Sequence, residues 1–525
     1  MRFPFRSLEE LDEWLAAVRP PIMTRLSLCY EVRPTAEDRG YKQRAGQLMS
    51  HSIHADKSAL VVDLDGTLLR SDVALELFWL SLSRRLSLPI STALNRPRAA
   101  STGSLAERVE SALATLPYNP AVLAYVQAWR ARGGRTVLLT GADAAMGRAI
   151  ATQTGLFDET YSANGAHNLK EADKAAFLRT TFPEGYAYMG GSKAELAVWQ
   201  GAVKAVTVNA PEPLRKGVER LGVDVDHLQD GANASLRTYL QALRPHHWLK
   251  NMLVFLPMLL AHTFTLRVFA RSLGAFLSFS LVASSSYTLN DLLDLAADRA
   301  HPRKRMRAFA SGQLPLAHGS WMAALCFLLG LLTAILMGGP LFLVILGYFV
   351  LTISYSLYLK RQAVTDIFIL AGLYTLRIIG GATATRIEPS VWLLVFSMFI
   401  FFSLAAVKRQ AELVEIAGRG VLEVSGRGYV ADDLPIISMI ALAAGFVAVL
   451  VMALYVNSAA ASLLYRQPQM LWGICLVLLF WVSRTVLLAH RGHMHDDPMV
   501  FALTDRVSQL CGMVILALAL AGVWL

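Results

Sequence analysis

The chain reads as a two-part protein: an N-terminal α/β doubly wound domain with a helical cap insertion, then an all-α polytopic membrane bundle of about nine helices. Three observations predict this. From about residue 249 onward, apolar runs of membrane-spanning length follow one another, whereas residues 1 to about 240 have the mixed composition of a soluble domain. In that first half, short apolar runs each end in a polar turn, with helical stretches between them. The hydrophobic content of 54% and mean hydropathy of +0.43 over 525 residues are therefore carried mainly by the second half.

Residues 1–57 read as an N-terminal extension. The start, Met1-Arg2-Phe3-Pro4-Phe5-Arg6 followed by Glu9-Glu10-Leu11-Asp12-Glu13, lacks the apolar core of a signal peptide, so the soluble half is expected in the cytoplasm. The soluble domain is assigned to 58–210. Ser58-Ala59-Leu60-Val61-Val62 leads into Asp63, Thr136-Val137-Leu138-Leu139 into Thr140, Tyr186-Ala187-Tyr188-Met189 into Gly190-Gly191, and Ala205-Val206-Thr207-Val208 closes the series. Strands of this kind with helices between them predict a sheet whose ligands sit at its carboxyl edge. Residues 71–130 form the helical insertion, and a Pro-containing stretch over 211–242 is the expected linker.

Residues 243–525 supply candidate spans near 249–263, 270–290, 316–337, 339–358, 364–384, 391–407, 434–456, 470–489 and 504–525. Basic residues gather in alternate loops, at Arg299/Arg303/Lys304/Arg305/Arg307, Lys360/Arg361, Lys408/Arg409/Arg419/Arg427 and Arg484/Arg491/Arg506, while the opposite loops carry few. By the positive-inside rule the chain is a multi-pass protein of the cell (inner) membrane, its N-terminal domain cytoplasmic and its C-terminus on the opposite side. The net charge of +10 thus reads as topology signals and phosphate contacts, with no nucleic acid as partner. Cys29, Cys326, Cys475 and Cys511 are scattered without metal-ligand spacing, which predicts neither disulfide nor zinc.

The chemistry is concentrated where the second span meets its basic loop, at Asn290-Asp291-Leu292-Leu293-Asp294-Leu295-Ala296-Ala297-Asp298. Offsets of i, i+3 and i+7 put Asp291, Asp294 and Asp298 on one helix face, where three crowded carboxylates need a cation. Oxygen ligands suit Mg²⁺, which takes its remaining ligands from waters and substrate phosphates. Ionisable groups at the end of a membrane helix are costly enough to point to function.

With these aspartates, residues 243–525 resemble the UbiA superfamily of intramembrane prenyltransferases. Lys250 and Asn251 lie in a segment similar to that family's entry segment, Asn290 to Asp298 match its first aspartate-rich motif, and Tyr355, Lys360 and Arg361, with Asp366 and Arg377 beyond, stand at its second. A second multi-aspartate cluster is missing, since only Asp366 is acidic there. With Arg303, Lys304, Arg305, Lys408 and Arg409, this resembles the polyprenyl-phosphate phosphoribosyltransferase branch. The resemblance implies transfer of 5-phosphoribose from a diphosphate-bearing donor to a polyprenyl phosphate, with Mg²⁺ on the leaving diphosphate. It makes Asp291, Asp294, Asp298, Asp366 and Lys360 catalytic candidates and the other named residues substrate-binding ones. Two alternatives stay open: prenylation of an aromatic acid such as 4-hydroxybenzoate by a prenyl diphosphate, and a non-enzymatic lipid-binding or transport module. Lys408 and Glu412 could also be a simple i,i+4 helical pair.

In the soluble domain, Asp63-Leu64-Asp65-Gly66-Thr67 directly after a strand resembles the first motif of haloacid-dehalogenase-like phosphatases. The likeness implies Asp63 as nucleophile, Asp65 as acid/base, Thr140 as the phosphate-binding hydroxyl and Lys174 (or Lys170) as the cation. The fourth motif departs: Gly190-Gly191-Ser192-Lys193-Ala194-Glu195 has glycine at a ligand position, leaving Glu195 as a substitute of different reach. Weak or absent phosphatase activity is expected.

Overall fold

The computed structural model describes residues 58–87, 113–141, 144–162, 171–231, 234–418, 427–494 and 497–524. The N-terminal extension, Lys170, Arg419, Cys29 and the centre of the cap insertion lie outside the described residues.

Six parallel strands form the soluble sheet: β1 (Ala59–Asp63), β2 (Thr136–Thr140), β3 (Glu159–Ser162), β4 (Tyr186–Gly190), β5 (Lys204–Val208) and β6 (Asp224–Leu228). Their order is β3-β2-β1-β4-β5-β6. Every residue of β1, β2 and β4 is buried, as befits central strands covered on both faces. Two apolar clusters do the covering, one around Trp199 and Tyr188, the other around Leu60, Val126 and Ile150. The order runs outward from β1 in both directions, so β1 and β4 flank the switch point where ligands of such sheets bind. β3 and β6 are not legible as apolar runs, because edge strands carry polar and charged residues (ETYS and DVDHL). With β6 the sheet extends to Leu228, so the stretch expected as a linker is domain up to that point.

The helices of this half are α1 (Val73–Ser87), α2 (Pro120–Ala131), α3 (Ala144–Thr154), α4 (Glu171–Thr181) and α5 (Glu212–Glu219). A short α6 (Leu236–Leu243), capped by Ser235, leads to the bundle.

Among the described residues, eight helices are long and apolar enough to cross a membrane. They are α7 (Leu266–Leu293), α9 (Leu316–Met337), α10 (Gly339–Leu357), α11 (Thr365–Thr385), α12 (Val391–Ala417), α13 (Leu434–Val456), α14 (Trp472–His490) and α15 (Arg506–Trp524), with the short α8 (Leu295–Ala300) after α7. The first expected span takes another form, a 3₁₀ helix over Pro245–Phe255 continued by one α-turn to Leu260. At about 2.0 Å per 3₁₀ residue and 1.5 Å per α residue it reaches roughly 30 Å, the thickness of the hydrocarbon core. It runs antiparallel to α7: Trp248 Nε1 donates to Ser284 Oγ at 2.9 Å, Asn251 Nδ2 to Ser280 Oγ at 3.0 Å, and Phe255 meets Phe276 and Phe269.

Small and hydroxyl residues let the membrane helices approach closely. Ser278 and Ser285 of α7 donate to the carbonyls of Gly330 and Ala323 on α9 at 2.7 Å, and Ser403 of α12 donates to Ala441 of α13 at 2.6 Å. Gly381 of α11 lies so near the 3₁₀ segment that a Cβ there would overlap the Val254 carbonyl.

Candidate transferase site and soluble-domain site

The aspartate motif does not present one uninterrupted face. α7 stops at Leu293 and α8 starts at Leu295, with Asp294 between them at φ −96°, ψ 12°. The backbone bonds carry on across this point, Asp294 N–H to Asn290 and Asp298 N–H to Asp294, and the difference from the expected trio lies in the partners that each carboxylate takes. Asp291 and Asp298 instead share one cation: Arg307 Nη1 donates to Asp291 Oδ1 at 3.0 Å and to Asp298 Oδ2 at 2.7 Å. Arg244 Nη2 adds bonds to both oxygens of Asp291, at 2.7 and 2.8 Å. Asp294 accepts from Asn290 Nδ2 at 3.0 Å and stands 3.6 Å from Lys360 Nζ. Among the described residues no group of three or more acidic, histidine or cysteine side chains gathers as a metal cluster. Burial raises the Asp298 carboxyl above the ordinary range, against the pull of Arg307, and burial lowers the Lys360 ammonium.

A second cationic focus lies beyond an aromatic step. The Arg244 guanidinium sits over Tyr287 at 5.8 Å, Tyr287 meets His247 at 5.0 Å, and Lys250 lies over Tyr374 at 5.7 Å. Lys250 and Lys408 both donate to Asp497 Oδ2, at 2.6 and 3.0 Å. Their combined charge holds Asp497 well below the usual carboxylate range although burial opposes it. Lys408 therefore does not pair with Glu412, which binds Arg409 and Arg427 instead.

Other sequence candidates serve different ends. Asn251 and Arg377 form a buried network in which Arg377 Nε donates to Asn251 Oδ1 at 2.8 Å and Nη2 to Tyr348 at 3.0 Å. Asp366 is fully buried, 2.9 Å from Arg409 Nε and bonded by the Tyr429 hydroxyl, so it reads as an internal tie between α11 and α12. Tyr355 accepts from Arg427 at 3.4 Å. Arg303, Lys304, Arg305 and Arg361 are exposed. Sequence reasoning did not single out Arg244 or Asp497 and counted Arg307 only as a charge of a basic loop; no periodicity links Arg307 to Asp291. A cavity of about 170 Å³ opens beside Arg244, Asp291 and Arg307.

In the soluble domain, Asp63 ends β1 at the switch point and Lys174 Nζ donates to it at 3.0 Å. Burial pushes Asp63 up to about 7, against the pull of Lys174, and pushes Asp65 up to about 6. Asp65 accepts from the Val73 N–H at 2.8 Å, and Thr140 ends β2. Glu195 does reach back toward Asp63, but both its oxygens are engaged, one by Tyr188 OH at 2.9 Å and one by the Ser192 N–H at 2.8 Å in a capping box. At Gly191 a Cβ would lie 2.8 Å from the Val208 carbonyl.

The sequence profile of the UbiA prenyltransferase family matches residues 252–504. Three relatives are similar to the chain. An uncharacterized protein y4nM of Sinorhizobium fredii is 34% identical over 87% of this chain and 90% of its own length. Nodulation protein NoeC of Azorhizobium caulinodans is 40% identical over 56% of this chain and 95% of its own. Decaprenyl-phosphate phosphoribosyltransferase of Mycobacterium tuberculosis is 36% identical over 33% of this chain and 59% of its own. Among solved structures, a UbiA homologue from Archaeoglobus fulgidus bound to GPP and Mg²⁺ aligns with TM-score 0.41 and 16% identity over 54% of this chain and 98% of its own. A phosphoserine phosphatase aligns with TM-score 0.23 and 15% identity over 35% and 98%.

Proposed function

The chain belongs to the UbiA prenyltransferase family, and from that membership we propose that it transfers 5-phosphoribose from phosphoribosyl diphosphate to a polyprenyl phosphate, releasing diphosphate. The observation that carries this reading is the pairing of two cationic foci, Arg244/Arg307 on the aspartates and Lys250/Lys408 on Asp497. A phosphoribosyl diphosphate and a lipid phosphate each bring a phosphate of high charge and suit two such foci, whereas an aromatic acid brings a single carboxylate to the second. The similarity over 179 residues to decaprenyl-phosphate phosphoribosyltransferase supports the same choice.

Asp291 and Asp298 already converge on one cationic point, and oxygen donors of this kind fit Mg²⁺, which takes one or two carboxylates plus substrate phosphates. Bound there with Asp294 nearby, the metal would neutralise the departing diphosphate. The chain's own residues do the rest. Arg307 and Arg244 would exchange their carboxylate partners for diphosphate oxygens, with the fork geometry that suits guanidinium to phosphate. Lys250 and Lys408 would hold the lipid phosphate, and the aromatic step of His247, Tyr287 and Tyr374 would line the space between, keeping water from the anomeric carbon. The soluble half and the basic loops are proposed to face the cytoplasm of the cell membrane.

Purified protein in detergent with Mg²⁺ tests this reading directly, with lipid products identified by mass. Phosphoribosyl diphosphate with polyprenyl phosphate should give a phosphoribosyl lipid. Product from prenyl diphosphate and 4-hydroxybenzoate, with none from the first pair, would give the case to aromatic prenylation.

A further inference from the structure

Between the two sites lies a set of contacts that neither reaction explains. Arg299, one residue after Asp298, turns its guanidinium into the soluble domain and bonds through all three of its nitrogens, there and in its own loop. Nη1 and Nη2 donate to the two oxygens of Glu76 on α1 at 2.9 and 2.6 Å, and Nε donates to the Ala310 carbonyl at 3.0 Å. The side chains of this pair are only 7% and 8% exposed. Buried ion pairs add little net stability over apolar packing, and their best-attested use is to fix register.

The loop that leaves α8 carries the exposed Arg303–Arg305 turn, returns through Arg307 to Asp291 and Asp298, and then meets the soluble domain again at its far end. Arg70, in the turn after Asp65, bonds Asp230 at 2.7 Å and the Ser311 carbonyl at 3.4 Å. Next to it, Gly312 has φ +72°, and a Cβ there would lie 2.6 Å from Arg70 Cβ and 3.2 Å from Pro117 Cβ. Apolar packing closes the joint: Trp79 of α1 clusters with Leu292, Leu295, Phe309 and Leu316, and its Nε1 donates to Ser320 Oγ at 3.3 Å. The segment 295–312 is thus gripped at both ends by residues of the soluble domain, and the residue between the grips that touches the aspartates is Arg307.

We propose that the soluble domain is a positioning part of the transferase: Glu76 and Arg70 fix the 295–312 segment so that Arg307 and Asp298 stand in register with Asp291. The kinetic part of this rests on the transfer reaction proposed above; the mechanical part does not. Glu76 and Arg70 act through Arg299 and the loop, so they are positioning residues and touch no substrate.

The test uses the full chain in detergent, with Glu76→Ala, the conservative Glu76→Gln and, separately, Arg70→Ala. Hydrogen exchange of residues 295–312 should quicken about tenfold or more in both alanine variants, with the central sheet and α12 unchanged. In the transfer assay kcat should fall about 10- to 100-fold while KM for the lipid acceptor stays within about twofold, and Glu76→Gln should lie between. Unchanged exchange and kcat in both alanine variants would overturn the proposal, as would quickened exchange spread evenly through the whole bundle. A wild type that transfers prenyl but not phosphoribosyl groups would count against the substrate reading alone, since the exchange measurement decides the positioning claim without any donor.

Discussion

At the scale of single residues, one guanidinium nitrogen of Arg307 lies between two carboxylates that would otherwise repel. Neutralising Asp291 removes an anchor of Arg307 and an oxygen proposed above to hold the metal, so Asp291→Asn is expected to cut single-turnover transfer about 10²- to 10³-fold with the helical content unchanged. Near-normal turnover by the wild type in excess chelator would contradict the metal's part in this. In the soluble domain, burial raises the folded Asp63 carboxyl to about 7, whereas in the unfolded chain it would lose its proton near 3.8. Its contribution to stability is therefore greatest at low pH and declines as the pH rises from about 4 to 7. An infrared difference spectrum between wild type and Asp63→Asn should show a protonated carboxyl band at about pH 6 that is gone by about pH 8. A band already absent at about pH 5 would refute the burial argument. Gly191→Asp puts back the missing phosphatase ligand on paper only, because its Cβ would press on the Val208 carbonyl. That variant should melt earlier by about 1–3 kcal/mol and gain no phosphate release. The aspartates were picked out by residue type and spacing, whereas Lys174, Lys250 and Lys408 were named only through the resemblances to known families. Arg307's role was not, since a bond across sixteen residues depends on how a loop returns, and loops carry no period.

At the scale of elements, the 3₁₀ segment and α11 approach closely at Gly381. Gly381 faces the Val254 backbone with no room for a methyl group, whereas Gly372 on the same helix has nothing within 4 Å of its Cβ position. Gly381→Ala should accordingly cost about 1–3 kcal/mol, and Gly372→Ala should be neutral or gain up to about 1 kcal/mol. Thermal aggregation of the two variants in one detergent gives the comparison, and equal midpoints would mean that the segment yields easily. Apolar length identified eight of the spans, seven of them within about four residues at each end, while α12 runs ten residues past its expected end at 407. The first was legible as a span but not as 3₁₀, because helix type is set here by packing against α7 and α11 and leaves no mark on composition. The strands at the centre of the sheet were likewise visible as apolar runs, and the edge strands were hidden by their charges.

At the scale of the whole molecule, eight helices among the described residues are long and apolar enough to cross a membrane, and counting the 3₁₀ segment as a ninth crossing predicts that the two ends of the bundle face opposite sides. In a cysteine-free background, Arg305→Cys should react with an impermeant thiol reagent only from the cytoplasmic face, and a cysteine added after Leu525 only from the other. Labelling of both from one side would mean that the segment turns back within the bilayer. The covalent route between the halves is short: β6 ends at Leu228 and α6 begins at Leu236, with seven residues between. Fully extended, such a tether spans at most about 25 Å. Its consequence is one of effective concentration. A domain so leashed meets its binding face on the bundle as though present at about millimolar level, whatever the cell's expression. The Glu76–Arg299 contact therefore need not be strong to be nearly always made, and a cell that split the gene in two would have to replace that proximity with affinity.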